Sequence, residues 1–237
     1  MFTYPVVLAD LGLRKGLLAF WKMDETGTSP PRLDATGDSG HTLNNFGGGT
    51  QSDRDGILGR APDFRGVTGQ GMGTTSNDFR FYADGNKTFS FSYWVYHDNS
   101  NSYEHLGRGR HLQVVTQEWK VHRQDGNLET VFGNAAKTTV GDTIPDTTWT
   151  HCVTTYDFAT GAIQLIVNDG TPVTDTYAPG VPASGGTEPA FYVGGQSAGG
   201  ASIDGAIDEV GVWLRVLTAE EITKLYNGGI GITYEDL

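Results

Sequence analysis

Apolar and polar residues alternate with a period of two over several stretches, the pattern of strands with one face on a core. The segment 88–96 shows it best, with Phe89, Phe91, Tyr93 and Val95 on one face and Ser90 and Ser92 on the other. Further strands are predicted over 17–23, 79–82, 118–123, 128–132, 149–156, 162–167, 190–193 and 205–214. Residues 24–49 are rich in Gly, Pro, Ser and Asp and read as a long polar loop. Asp125-Gly126-Asn127 and Asn168-Asp169-Gly170 are hairpin signals. One helix is predicted. Thr218 and Glu221 have the spacing of a capping box, Ile222 and Leu225 supply an apolar edge, and Asn227-Gly228-Gly229 ends it.

Composition supports an all-β reading. Gly and Pro make up 43 of the 237 residues, which suits many short strands joined by tight turns and not a helical bundle or an α/β fold. Hydrophobic residues at 37% are too many for a disordered chain. No uncharged apolar run approaches the ~18 residues of a membrane helix. The net charge of −12 makes nucleic acid and anionic membranes poor partners. Arg108, Arg110 and His111 form the one small basic cluster, too small a footprint for a polyanion. Cys152 is the single cysteine, so an internal disulfide and a thiolate metal cage are both excluded.

Residues 1–15 read as an N-terminal arm outside a single domain over 16–237. They hold Tyr4, Val6, Val7, Leu8, Leu11 and Leu13, yet lack the basic start and long apolar stretch of a signal peptide. The expected location is therefore cytosolic synthesis, with a virion or cell-exterior destination reached without the usual export route. The arm is expected to dock on another subunit or on a particle.

Several segments resemble the concanavalin A-like, laminin-G-like jelly rolls. Gly16-Leu-Leu-Ala-Phe-Trp-Lys-Met-Asp-Glu25 is similar to the family's opening strand, and Asp34-Ala-Thr-Gly37 to the polar loop after it. The segments 91–95, 148–157 and 164–170 look like its central strands. Asp204-Gly-Ala-Ile-Asp-Glu-Val-Gly-Val-Trp213 with the capped helix resembles its closing signature. The resemblance implies a two-sheet antiparallel jelly-roll sandwich with one short C-terminal helix. It also implies a role in sugar binding, protein adhesion or, less often, glycoside hydrolysis.

Retaining glycosidases need two carboxyls ~5–5.5 Å apart, which a strand supplies from positions i and i+2. Here Asp208 and Glu209 are neighbours and face opposite sides of a strand, while Asp204 and Asp208 stand ~13 Å apart along it. No catalytic residues are assigned, and the chain reads as a binding or structural module. Asp208 shares an otherwise apolar strand face with Ala206, Val210 and Val212, so it needs partners. Either it accepts N–H groups of the loop after the first strand, or it holds calcium with Asp24, Asp34 and Asp38, as laminin-G-like domains often do. Tyr103, His105, Trp119 and His122 are the candidate sugar-binding residues, combining aromatic faces with planar polar groups. The expected partner is a glycan or protein surface, on a bacteriophage particle or, alternatively, as a lectin of a bacterial surface system.

Overall fold

A computed structural model describes residues 12–46, 51–64, 70–81, 88–99, 103–108, 119–132, 137–177, 191–195 and 202–237. Arg110, His111 and most of the N-terminal arm lie outside the described residues. The strands are β1 (Leu17–Trp21), β2 (Asn44–Phe46), β3 (Ser52–Asp55), β4 (Arg60–Asp63), β5 (Gly71–Thr74), β6 (Phe89–His97), β7 (Tyr103–Arg108) and β8 (Trp119–Gln124). They continue with β9 (Asn127–Phe132), β10 (Lys137–Thr143), β11 (Thr150–Asp157), β12 (Ala162–Val167), β13 (Val173–Thr176), β14 (Phe191–Val193) and β15 (Gly205–Trp213). The helix α1 spans Ala219–Tyr226.

Two antiparallel sheets result. One runs β13-β12-β11-β6-β15-β4-β3, with β1 also paired to β15; the other runs β10-β9-β8-β7-β14-β5-β2. Neighbours such as β6 and β15 are distant in sequence, so long crossovers between the sheets tie the sandwich together. The expected all-β architecture is formed. Its core is the row of inward residues predicted from alternation: Phe89, Phe91, Tyr93 and Val95 are fully buried. Rings dominate it, with Phe91 stacked on Trp119 at 4.4 Å and Trp21 on Phe191 at 5.3 Å.

The eight-stranded sheet is covered on its outer face as well. Phe20, Val153, Ile166 and Trp213 point outward there and meet Ile222 and Leu225 of α1, together with Leu13, Leu217 and Leu237. That double cover explains why β15 is buried along its whole length. The helix starts as expected: Thr218 Oγ1 accepts the Glu221 N–H at 3.3 Å, and Glu221 Oε2 accepts the Thr218 N–H at 2.9 Å. Arg215 then holds both Glu221 oxygens at 2.6 Å.

The boundary of the arm moves. Leu13 is buried in the outer cluster, and the Trp213 Nε1–H donates to the Leu13 carbonyl at 2.6 Å. Arg215 reaches the carbonyls of Gly12 and Lys15, and Arg14 reaches those of Tyr234 and Leu237. Residues 12–15 thus belong to the sandwich. Two other expectations fail. Phe79 closes a short 3-10 helix, Asn77–Phe79, in place of a strand, and the loop after β1 contains both β2 and the 3-10 turn Ser39–His41. Among the described residues, no helix is long and apolar enough to cross a membrane.

Candidate functional site

The outer face of the seven-stranded sheet is built differently. In β8, Trp119 and Val121 enter the core, so Lys120 and His122 project from the opposite face. In β9, Leu128 and Phe132 point inward and Glu129 and Val131 outward. A bulge in β7 skips His105: Glu104 pairs with His122, Leu106 with Val121 and Gly107 with Lys120. Both His105 and Leu106 therefore turn inward, leaving Glu104 and Gly107 outside. Gly107 also faces Tyr192 of β14, and any Cβ there would collide with the Tyr192 ring and hydroxyl.

These strands assemble a row of paired polar groups. Lys120 Nζ donates to Glu104 Oε1 at 3.3 Å, and the Tyr192 hydroxyl donates to Glu104 Oε2 at 3.0 Å. His122 Nε2 lies 3.3 Å from Glu129 Oε2. Glu104, Lys120 and His122 are only 4%, 3% and 8% exposed, so these groups are held in a medium poorer than water. Burial pulls the Lys120 ammonium below the usual lysine range against the opposing pull of Glu104, and burial raises the Glu129 carboxyl.

Of the residues expected to bind sugar, the structure brings His122 alone to this row. Trp119 is 1% exposed and stacked inside the core. His105 is fully buried between the sheets, with Nδ1 2.8 Å from the Tyr93 hydroxyl and Nε2 2.9 Å from His97 Nε2. Burial holds both imidazoles well below the usual histidine range, His97 at about 3. Tyr103 lies at the start of β7, its backbone opposite Arg123; its side chain is outside the described residues. Glu104, Lys120, Glu129 and Tyr192 were missed. The alternation of Lys120 and His122 with Trp119 and Val121 was the available signal.

The four carboxylates expected to share calcium separate into two places. Asp208 Oδ2 accepts the N–H groups of Ile57 and Leu58 at 2.8 and 3.2 Å, and Oδ1 accepts that of Glu209 at 3.0 Å. Asp24 stands on the same turn, accepting the Arg60 N–H at 2.8 Å. Asp34 lies elsewhere, against β1, and accepts from the Phe20 and Thr36 N–H groups at 3.0 and 2.9 Å. Asp38 caps the 3-10 turn Ser39–His41 through the Gly40 N–H. With Asp208 filled by backbone donors and the set divided, these residues do not fit one calcium ion. The hydrogen-bonded reading of Asp208 is the one formed, but its donors come from the β3–β4 turn and not from the loop after β1.

Asp208 also sits on the other face from the one read in the sequence. Glu209 adopts a left-handed φ of 48° and the pairing of β15 with β6 slips between Asp208 and Gly211. The slip lets Ile207, Val210 and Val212 all face the core while Asp208 turns away from it. Asp208 has no exposed surface, and Glu209 is 5% exposed. Burial first, then the charges of Asp208 and Asp24, push the Glu209 carboxyl up to about 9. Burial likewise raises Asp208.

A third group lies at the rim between β2 and β5. His41 Nδ1 is 2.9 Å from Asp34 Oδ2, and its Nε2 is 3.0 Å from Asp78 Oδ2 and 3.8 Å from Asp38 Oδ2. Burial lowers this imidazole, but the hydrogen bonds to Asp78 and Asp34 outweigh it and leave it above the usual histidine range.

Comparison with known proteins agrees with this architecture. The model of the concanavalin A-like lectin/glucanases superfamily, in its Laminin_G_3 form, matches residues 68–223. Among curated proteins, none matches the sequence. Domain 4 of AbnA, a GH43 extracellular arabinanase from Geobacillus stearothermophilus solved with arabinotriose, superposes with a TM-score of 0.64 at 22% identity, over 87% of this chain and 96% of that one. Trypanosoma rangeli sialidase, solved with sialic acid, gives 0.62 at 18% identity over 92% of this chain and 34% of the sialidase. The binding domain of botulinum neurotoxin serotype D gives 0.61 at 14% identity, over 90% of this chain and 52% of that domain. With the family model covering most of its length and the same sandwich in its sheets, this chain belongs to the concanavalin A-like lectin/glucanase superfamily, in its laminin-G-like branch.

Proposed function

We propose that the chain is a carbohydrate-binding module that holds neutral glycans without cleaving them. One observation carries this reading: the outer face of the seven-stranded sheet bears a row of paired charged and hydroxyl groups, Glu104 with Lys120 and Tyr192, and His122 with Glu129. On the other sheet's outer face, an apolar cluster is closed by α1. Buried ion pairs do little for stability, so a row of them on an outer face suits recognition better than folding. Carboxylate, ammonium and phenol are the kinds of donor and acceptor that sugar hydroxyls need. The sugar-bound relatives of the same fold support the ligand class. Absence of turnover is part of the proposal, supported by Asp208, whose oxygens are occupied by backbone N–H groups beyond the reach of a substrate.

A place on a virion or cell exterior belongs to the same proposal. It rests on the apolar character of Tyr4, Val6, Val7, Leu8 and Leu11, outside the described residues, now that Leu13 is accounted for.

A glycan array with neutral, sialylated and arabinose-containing oligosaccharides tests the reading. Binding is expected to neutral glycans and to weaken at least tenfold in Glu104→Ala and Lys120→Ala that retain a cooperative melt. An array with no binding, or variants that bind as well as the parent, overturns it. Release of reducing ends from any bound glycan overturns the non-catalytic part.

A further inference from the structure

We propose that His41, Asp38 and Asp78 form a binding site for a divalent first-row transition cation of the zinc class, with Asp34 as the residue that orients the imidazole. The site is independent of the sugar-binding row. It joins two loops that are 37 residues apart, one following β1 and the other following β5.

The geometry is that of a ligand set. One atom from each of the three side chains lies within 4.8 Å of the other two. From His41 Nε2 the carboxylate oxygens of Asp78 and Asp38 stand at 3.0 and 3.8 Å. For bonds of about 2.1 Å to a shared ion, those spacings correspond to ligand–metal–ligand angles of about 90° and 130°, within the range that four- to six-coordinate sites adopt. The donor set, one imidazole nitrogen and two carboxylate oxygens, selects zinc, manganese or cobalt over calcium, which takes oxygen alone.

What surrounds the imidazole points the same way. Ligating histidines usually donate their second ring N–H to a carboxylate, which fixes the tautomer and aims the free nitrogen. Asp34 is placed to do this. Its side chain is fully buried, Oδ2 faces His41 Nδ1 at 2.9 Å and also accepts the Thr36 hydroxyl at 2.7 Å, and Oδ1 is anchored by two backbone N–H groups. The ring is packed edge-on to Phe79 at 5.0 Å and is itself 3% exposed. Nε2 is thus a fixed donor. Asp38 and Asp78, by contrast, have side chains 56% and 58% exposed, so the far side of the site opens to solvent and leaves positions for water. The Gly40 N–H holds Asp38 through Oδ1, leaving Oδ2 for the ion. A cation here would clip together the two 3-10 turns, Ser39–His41 and Asn77–Phe79, and bind the folded chain only.

The test uses the full chain, stripped with chelator and titrated with zinc chloride by calorimetry, with cobalt chloride as the spectroscopic probe. One equivalent of zinc is expected, with a rise in Tm and a cobalt spectrum that signals nitrogen ligation. His41→Gln should weaken zinc at least 100-fold, and Asp34→Asn by about 10- to 100-fold while every ligand atom remains. Asp78→Asn, at an exposed position, covers the case in which His41→Gln does not fold, and should weaken zinc at least tenfold. Calcium chloride in excess should neither bind nor compete. Failure of the parent chain to take up one equivalent overturns the site, as does zinc affinity unchanged in His41→Gln or Asp78→Asn. Displacement of zinc by calcium overturns the assignment of the cation class.

Discussion

Asp208 Oδ2 accepts the backbone N–H of Ile57 at 2.8 Å across 151 positions of sequence, and the same oxygen accepts the Leu58 N–H at 3.2 Å, completing the clasp on the β3–β4 turn. Gly56 makes room for it, since a Cβ there would meet Asp208 Oδ2 and the Leu58 carbonyl. Stranding a buried donor costs about 1–3 kcal/mol. Asp208→Ala is therefore expected to lose at least about 2 kcal/mol in urea unfolding. A loss within about 0.5 kcal/mol, the usual range of a surface substitution, would show the clasp to be incidental.

Glu209 should make stability depend on pH. Its carboxyl is at about 9 in the folded chain against 4.5 when unfolded, because burial and the nearby Asp208 and Asp24 disfavour its charge. A raised folded-state value means that its contribution is fully present below pH 4.5 and is lost as pH rises toward 9. Glu209→Gln carries no such titration. Relative to the parent it should gain stability with rising pH across that window, by at most about 1.4 kcal/mol per pH unit. Chemical denaturation of both proteins at pH 5 and pH 8.5 measures this, and a constant difference contradicts it.

The inner and outer faces of β8 should separate in a mutational test. Trp119 fills the core, so Trp119→Ala is expected to cost about 3–5 kcal/mol and to remove binding only by unfolding the chain. His122→Ala, on the outer face, should melt within a few degrees of the parent yet lose glycan retention. Equal effects on melting for the two would place His122 in the structural frame.

Leu13 makes the last residues before β1 structural. Leu13→Ala should cost about 2 kcal/mol or more, and hence lower Tm by about 4–8 °C in a chain of this size. Deletion of residues 1–15 should destabilise further, because the Trp213 indole and Arg215 guanidinium lose their carbonyl acceptors. An unchanged melt after that deletion contradicts the docking.

Where burial is one-sided, the chain states its own fold. Strands β6, β9, β11 and β12 follow from alternating Phe, Tyr, Val and Ile, and the two-residue turn at Asp125 and Gly126 has the positive φ values, 50° and 87°, that its composition predicts. Edge strands are different. Ser52–Asp55 and Val173–Thr176 are mostly polar because they finish a sheet and bury little, so no periodicity marks them. The site was less legible for a geometric reason. Bulges at His105 and at Glu209 change which face the following residues occupy, and neither is announced by a glycine. Counting by twos through the second places Asp208 on the wrong side, while His105 was a sugar-binding candidate by residue type alone and turns into the core. Pairing across the chain, as between His41 and Asp78, leaves no local spacing at all.

Arg14 binds the carbonyl of Leu237, so residue 12 and residue 237 leave the sandwich close together, both on the face that α1 covers. The two sites of closure are therefore one seam. A peptide bridge of a few residues across that seam, with new ends opened at the Asp125-Gly126 turn, gives a circular permutant that keeps every sheet pairing. For the same reason, a partner fused after residue 237 starts from the face that α1 covers, on the opposite side of the sandwich from the seven-stranded sheet.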